Sequence, residues 1–249
     1  MIINQELPSD FKQLIERETF NCEKHGEVNG YVNPTTKLPI CALCIDEQNN
    51  NEILNSQKSR IDHLLNVSSI PKRYKETQFE ILDKKERMIA KKIAINYANT
   101  LDLNNWSHLE ISGSTGTGKT LLACRLAIML INKGVYVKYT TSANICAEVK
   151  ANYKEEARHD TISHIIKGVD LLILDEIDTL LNSEHDRGII HSIIRGRYEQ
   201  MKPIITISNS DANKLASIIG ERAYSALQEN NTLLEMEWED FRKARKNAA

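Results

Sequence analysis

Eight consecutive residues, Gly113-Ser114-Thr115-Gly116-Thr117-Gly118-Lys119-Thr120, match G-x-x-x-x-G-K-T and stand between a strand-like run, His108–Ser112, and an apolar helix-like run from Leu121. Glycines let the backbone turn tightly enough for successive N–H groups to face one centre, and a helix starting near Gly118 adds the positive end of its dipole. Such a loop cradles a chain of phosphates. Lys119 is then placed to reach the β and γ phosphates, and the Thr120 hydroxyl to ligate Mg²⁺. His108 and Glu110 are unusual in the strand before the loop, because a central parallel strand is ordinarily apolar on both faces.

Helix and strand patterns alternate after the octet, as βαβ units around a parallel sheet require. A helix over Leu121–Asn132 stops at Gly134, and a strand covers Val135–Thr140. Thr141 or Ser142 can cap the next helix, which runs through Lys150 and Tyr153. An apolar run, Val169–Leu174, has the character of a buried strand and delivers Asp175 and Glu176 at its carboxyl end, where open α/β sheets place ligands. Asp175 can hold Mg²⁺ through water and Glu176 can polarise a water for attack on the γ-phosphate, with Asp178 as the competing carboxylate. A strand over Ile204–Ser208 ends at Asn209, either a residue that orients the attacking water or a turn former. One helix near Leu215–Leu227 and a strand over Thr232–Met236 complete the pattern.

The chain has 249 residues, 41% hydrophobic and 27% charged, enough for one ample core and a small accessory domain. Lys and Arg total 32 against 34 Asp and Glu, so a grip on nucleic acid has to come from a local patch. The start lacks a basic-then-apolar leader, and Arg125 interrupts the longest apolar stretch, so a cytoplasmic protein without a membrane span is expected. Three of the five cysteines, Cys22, Cys41 and Cys44, form C-x2-H-x15-C-x2-C with His25. Four ligands of this softness suit a closed, structural Zn²⁺ that orders a segment too poor in apolar residues to fold on a core. The expected division is a zinc module over 1–48, a helical linker over 49–70 with an apolar stripe of Ile53, Leu54, Ile61, Leu64 and Leu65, and a nucleotide domain over 71–249. That domain opens with a basic helical stretch after Gln78 whose apolar line is Ile89, Ile93 and Tyr97.

The phosphate loop, Leu171-Leu172-Ile173-Leu174-Asp175-Glu176, the strand ending in Asn209, Gly220-Glu221-Arg222 and the closing Trp238-Glu239-Asp240-Phe241-Arg242 together resemble the AAA+ ATPases. More narrowly, with Ile70-Pro71-Lys72-Arg73-Tyr74, they are similar to the DnaC-type helicase loaders and the IstB-type transposition helpers. The resemblance implies an α/β P-loop fold, a five-stranded parallel sheet flanked by helices, without a full helical lid, in which the Asn209 strand separates the Asp175 strand from the phosphate-loop strand. It also implies ATP at a subunit boundary of a homo-oligomer, with Arg222 reaching a neighbour's γ-phosphate. The bland alternative is an ion pair of Arg222 with Glu221 or Asp211. Ala226 stands where the bacterial loader carries a second arginine.

The expected function is an ATPase that loads a replicative hexameric DNA helicase onto single-stranded DNA, with the zinc module holding the helicase. The rivals are an IstB-type helper and a non-hydrolysing, ATP-switched adaptor; a P-loop kinase is disfavoured because Asp175-Glu176 suits water activation. Candidate single-strand contacts are Lys150, Tyr153, Lys154 and Arg158 on the helix after Thr141, where Glu148, Glu155 and Glu156 leave a solvated amphipathic face as the alternative.

Overall fold

Strand β1 (Arg17–Cys22) turns back through Lys24 and His25 into β2 (Gly26–Val32), and the two pair antiparallel with Cys22 opposite Gly26. The computed structural model describes residues 17–33, 35–77, 85–103, 106–151, 155–179 and 183–240. A two-residue strand, β3 (Pro39–Ile40), adds to β2. Gly30 is required there: a methyl group on it would fall 2.2 Å from the Ile40 carbonyl oxygen. Helix α1 (Ala42–Val67) follows, 26 residues long.

The chain divides into two compact units, residues 1–60 and 61–249, and the boundary falls inside α1. The helical linker expected over 49–70 falls within α1, which runs from Ala42 to Val67. Its expected apolar stripe is also split: Ile53 and Leu54 are exposed, whereas Leu64 is buried and Ile61 and Leu65 pack on the core of the larger unit.

In residues 61–249, α2 (Lys72–Glu76) and α3 (Lys85–Thr100) precede β4 (His108–Gly113), α4 (Lys119–Ile131) and β5 (Val137–Thr141). Next come α5 (Ser142–Ala151), α6 (Glu155–Ser163), a π-helical turn (His164–Gly168) and β6 (Leu171–Asp175). The unit ends with α7 (Glu184–Glu199), β7 (Ile204–Ile207), α8 (Ala212–Ile219), α9 (Glu221–Gln228) and β8 (Asn231–Met236). The five strands lie in the order β5-β6-β7-β4-β8, and every neighbouring pair is parallel. Alternation along β6 sends Leu171 and Ile173 into a cluster with α3 and α4, and Leu172 and Leu174 into one with α5, α7, α8 and α9. Two layers of helices thus cover the sheet, and all five carboxyl ends meet at one edge.

Two local expectations need correction. Of the apolar line expected on α3, Tyr97 is buried and Ile93 packs on the core but Ile89 is exposed; Ala90, Ala94 and Ala98 are buried beside Tyr97, because their small side chains let the helix approach closely on that face. The single helix expected near Leu215–Leu227 is two, broken at Gly220, whose φ of +91° and ψ of 140° are open to glycine almost alone. The helix expected through Tyr153 is described as far as Ala151, and Tyr153 itself lies outside the described residues. His108 and Glu110 are buried yet partnered. His108 Nδ1 accepts the Ile204 N–H at 3.0 Å, and Glu110 accepts from Gln228 at 2.8 Å and Asn231 at 3.3 Å.

Candidate functional site

Gly113 ends β4 with φ +130°, and a methyl group there would fall 2.3 Å from the Met236 carbonyl oxygen, so the close approach of β8 requires glycine. Gly118, with φ +96°, forms the amino-terminal cap of α4 without a side-chain cap bond. Lys119 is only 6% exposed, and its ammonium donates to the carbonyls of Gly113 at 2.6 Å and Ser114 at 2.7 Å. Thr115 and Thr117 complete the octet, and the Thr117 hydroxyl closes the turn on the Ser114 carbonyl at 2.9 Å. The segment after β8 reaches the same loop. Trp238 Nε1 donates to the Thr117 carbonyl at 2.9 Å, Ser114 donates to the Glu237 carboxylate, and a methyl group on Gly116 would lie 2.1 Å from the Asp240 carboxyl carbon.

The Thr120 hydroxyl, in the first turn of α4, donates to Asp175 Oδ2 at 2.9 Å, so residues 55 positions apart meet at the carboxyl ends of β4 and β6. Asp175 is 4% exposed, and Oδ1 accepts the Glu176 N–H at 2.8 Å. A hydroxyl beside a buried carboxylate is a pair of hard oxygen donors, the chemistry Mg²⁺ takes. Glu176 is exposed and holds φ +52°, a left-handed conformation that costs a bulky residue about 1–3 kcal/mol. Ser142 holds that conformation by donating to the Glu176 carbonyl at 2.7 Å. Asn209 follows β7, exposed, and its N–H donates to Asp178 Oδ2 at 2.9 Å, which the Ser210 hydroxyl also reaches at 2.9 Å. Asp178, the competing carboxylate, is thus occupied in joining the β6 and β7 loops.

Tyr139 is a site residue that sequence reasoning missed. Its hydroxyl donates to Asp175 Oδ2 at 2.8 Å from strand β5. Burial, and next the Asp175 charge, push its phenol well above the usual tyrosine range, so it stays a donor. An aromatic residue in a strand gives no local sign of such a partner.

Arg222 lies exposed in the first turn of α9 and makes no ion pair among the described residues. Of the candidate DNA contacts, Lys150 pairs with the Asp186 carboxylate at the start of α7, and Arg158 is half-buried on α6. Tyr153 and Lys154 lie outside the described residues, as does Arg242.

In the smaller unit, the sulfurs of Cys22, Cys41 and Cys44 and a nitrogen of His25 all lie within 4.8 Å of one another. Cys22 Sγ and Cys44 Sγ are 3.7 Å apart, and His25 Nδ1 is 3.4–3.7 Å from the three sulfurs. A tetrahedron with Zn–S bonds near 2.3 Å has edges of about 3.8 Å, so the donor set fits zinc in kind and in size. Cys41 stands just before α1 and Cys44 in its first turn, while Cys22 and His25 flank the β1–β2 turn. The other His25 nitrogen, Nε2, lies 3.0 Å from Glu47 Oε1, an outer partner that fixes the ring and that the ligand spacing alone did not disclose. Backbone N–H groups of Lys24 and His25 lower the Cys22 thiol to about 6, which favours the thiolate a metal needs.

A phosphate loop, a hydroxyl–carboxylate pair and a strand-end glutamate at one edge of this parallel sheet define a P-loop nucleotide-binding protein of the AAA+ class. The family model described as IstB-like ATP binding protein matches residues 43–231, and the chain belongs to that family. It is 28% identical over 200 residues to a protein named replicative helicase loader DnaC from Buchnera aphidicola subsp. Baizongia pistaciae, covering 77% of this chain and 80% of that protein. To the protein of the same name from Escherichia coli (strain K12) it is 28% identical over 151 residues, 60% of this chain and 61% of that one. A crystal structure of the DnaC helicase loader superposes with a TM-score of 0.57 at 23% identity, covering 67% of this chain and 99% of that one. No helix among the described residues is long and apolar enough to cross a membrane.

Proposed function

We propose that the chain is an ATPase that loads a replicative hexameric DNA helicase onto single-stranded DNA, holding the helicase through its zinc unit and releasing it on hydrolysis. The observation that carries this reading is the similarity to replicative helicase loaders, which reaches across 77% of the chain. Lys119 binds the β and γ phosphates, and Thr120 and Asp175 hold the magnesium ion. Magnesium supplies neutralisation of phosphate charge. Glu176 takes the proton of the attacking water, with Asn209 orienting that water from the next strand end. Arg222, exposed at the start of α9, completes a neighbour's site in an oligomer.

Exposed Leu38, Leu43, Ile45, Ile53 and Leu54 give the zinc unit and the first half of α1 an apolar surface suited to a protein partner. Single-stranded DNA meets Lys150, Tyr153, Lys154 and Arg158, and because the cations would neutralise its phosphates, affinity should fall with added salt. The family match favours one second reading, a helper that acts with a transposase.

Transfer of the host's helicase to closed circular single-stranded DNA tests the proposal. The full chain should support ATP-dependent transfer, and Lys119→Ala should not. Glu176→Gln should bind ATP yet turn it over roughly a hundredfold or more slowly. A chain that ignores the helicase but stimulates a transposase would establish the second reading.

A further inference from the structure

Strand β5 lies at the edge of the sheet, paired in register with β6 so that Tyr139 stands opposite Ile173 and Thr141 opposite Asp175. From there the Tyr139 hydroxyl reaches the same carboxylate oxygen that receives the Thr120 hydroxyl, at 2.8 and 2.9 Å, while the other oxygen takes the Glu176 N–H at 2.8 Å. Three donors thus fix Asp175, two of them from other elements. They are not equivalent. Thr120 belongs to the phosphate loop, and a hydroxyl that turns to a cation gives up its bond to the carboxylate. Tyr139 belongs to neither the loop nor the acid pair, so its bond survives that change. Its ring is buried, with 9% exposure, and its main-chain N–H donates to the Ser68 carbonyl at 2.8 Å. Ser68 is itself fully buried directly after α1, so the edge strand is clamped just where the tyrosine projects.

We propose that Tyr139 is a positioning residue that sets the Asp175 carboxylate for a divalent cation bound with nucleotide. The inference rests on the nucleotide reading above. Mg²⁺ demands nearly ideal octahedral geometry and tolerates little ligand displacement, whereas Ca²⁺ accepts flexible geometry. A carboxylate that has lost one of two anchors on Oδ2 therefore serves Mg²⁺ worse than Ca²⁺.

Tyr139→Phe keeps the ring and removes the hydroxyl. The test titrates a fluorescent ATP analogue on the full chain in EDTA, in Mg²⁺ and in Ca²⁺, and then titrates each metal at fixed nucleotide. The variant should match wild type within about twofold in EDTA and need about three- to tenfold more Mg²⁺, with a smaller shift for Ca²⁺. Melting temperatures of both proteins identify a folding defect, and a second variant, Tyr139→Leu, should show the same Mg²⁺ shift even if its melting temperature drops. Superimposable Mg²⁺ curves, or an equal weakening in EDTA, Mg²⁺ and Ca²⁺, would overturn the proposal. Wild type that binds no nucleotide in any of the three conditions would instead remove the nucleotide reading, and the proposal with it.

Discussion

The phosphate loop and the Cys/His cluster are both short motifs, but the chain around them is built on different terms. Around the loop, Leu109, Ile111, Leu122, Leu172, Ile173 and Ile205 are completely shielded from water, each contributing about 1.5–3 kcal/mol by burial. In residues 17–60 the only buried hydrophobic residue among those described is Cys41, itself a candidate ligand. The geometry of the nucleotide site is thus a by-product of a core that would exist without any ligand. The geometry of the cluster has no such support, so its ligands have to supply the folding free energy that apolar side chains supply elsewhere. The expected consequence divides along the same line: residues 61–249 should stay folded without nucleotide, and the Cys/His unit should be ordered only with its cation bound.

Metal removal should expose that contrast most strongly. Chelation, or Cys41→Ser with Cys44→Ser, should forfeit on the order of 10 kcal/mol of binding free energy and collapse the amide dispersion of residues 17–47. ATP affinity of the full chain should stay within about twofold; a parallel loss of ATP binding would show that the two regions fold as one. The reciprocal change is Ile173→Ala, in the centre of β6 and fully buried. Truncation there should cost about 4 kcal/mol, lowering the denaturation midpoint of residues 61–249 while zinc content, measured by atomic absorption, is unchanged.

The same contrast explains what could be read from the residues alone. The octet, Asp175-Glu176 and the four candidate zinc ligands are local patterns in which chemistry dictates spacing, and the structure brings Thr120 to Asp175 and the four Cys/His side chains to one centre. The order of strands was reachable only through family resemblance, because alternation of helices and strands permits several orders. Partners far apart in the chain were hidden: Tyr139 and Asp175 are 36 positions apart, His108 and Ile204 96, Glu110 and Asn231 121. Of the line Ile89, Ile93 and Tyr97, Ile89 alone faces away from the core, because a helix period of 3.6 fits Ala90, Ala94 and Tyr97 equally well and only packing chooses the face. Gly220 allows a helix break without compelling one, so two helices looked like one.

His108 offers a smaller, pH-dependent test of the core-held region. Burial first, and then the Arg197 guanidinium, hold its imidazole down to about 4, against about 6.5 in an unfolded chain. Between these values the unfolded state takes up a proton that the folded state refuses, so this contribution is complete above pH 6.5 and is lost as pH falls toward 4. The total is about 3 kcal/mol. His108→Asn keeps an acceptor for the Ile204 N–H and should flatten that part of the urea stability profile between pH 7 and 4.5, followed by fluorescence. Equal slopes for the two proteins would mean that His108 is hydrated.

The smallest expected effect belongs to the ligand-held region and concerns Glu47. Its carboxylate lies 3.0 Å from His25 Nε2 and also pairs with Lys24, and its hydrogen bond is the first cause of a His25 imidazole raised to about 9. A carboxylate behind a ligating imidazole orients the ring and increases its basicity, and loss of such a partner typically weakens metal binding by about 10- to 100-fold. Glu47→Gln preserves an acceptor near Nε2 but not the charge, so the lower end of that range, about tenfold, is expected in competition with a zinc chelator. ATP affinity should not move, because Glu47 belongs to the other compact unit from the phosphate loop. Zinc affinity equal to wild type would reduce Glu47 to a surface partner of Lys24 and leave the three thiolates to hold the module without an oriented histidine.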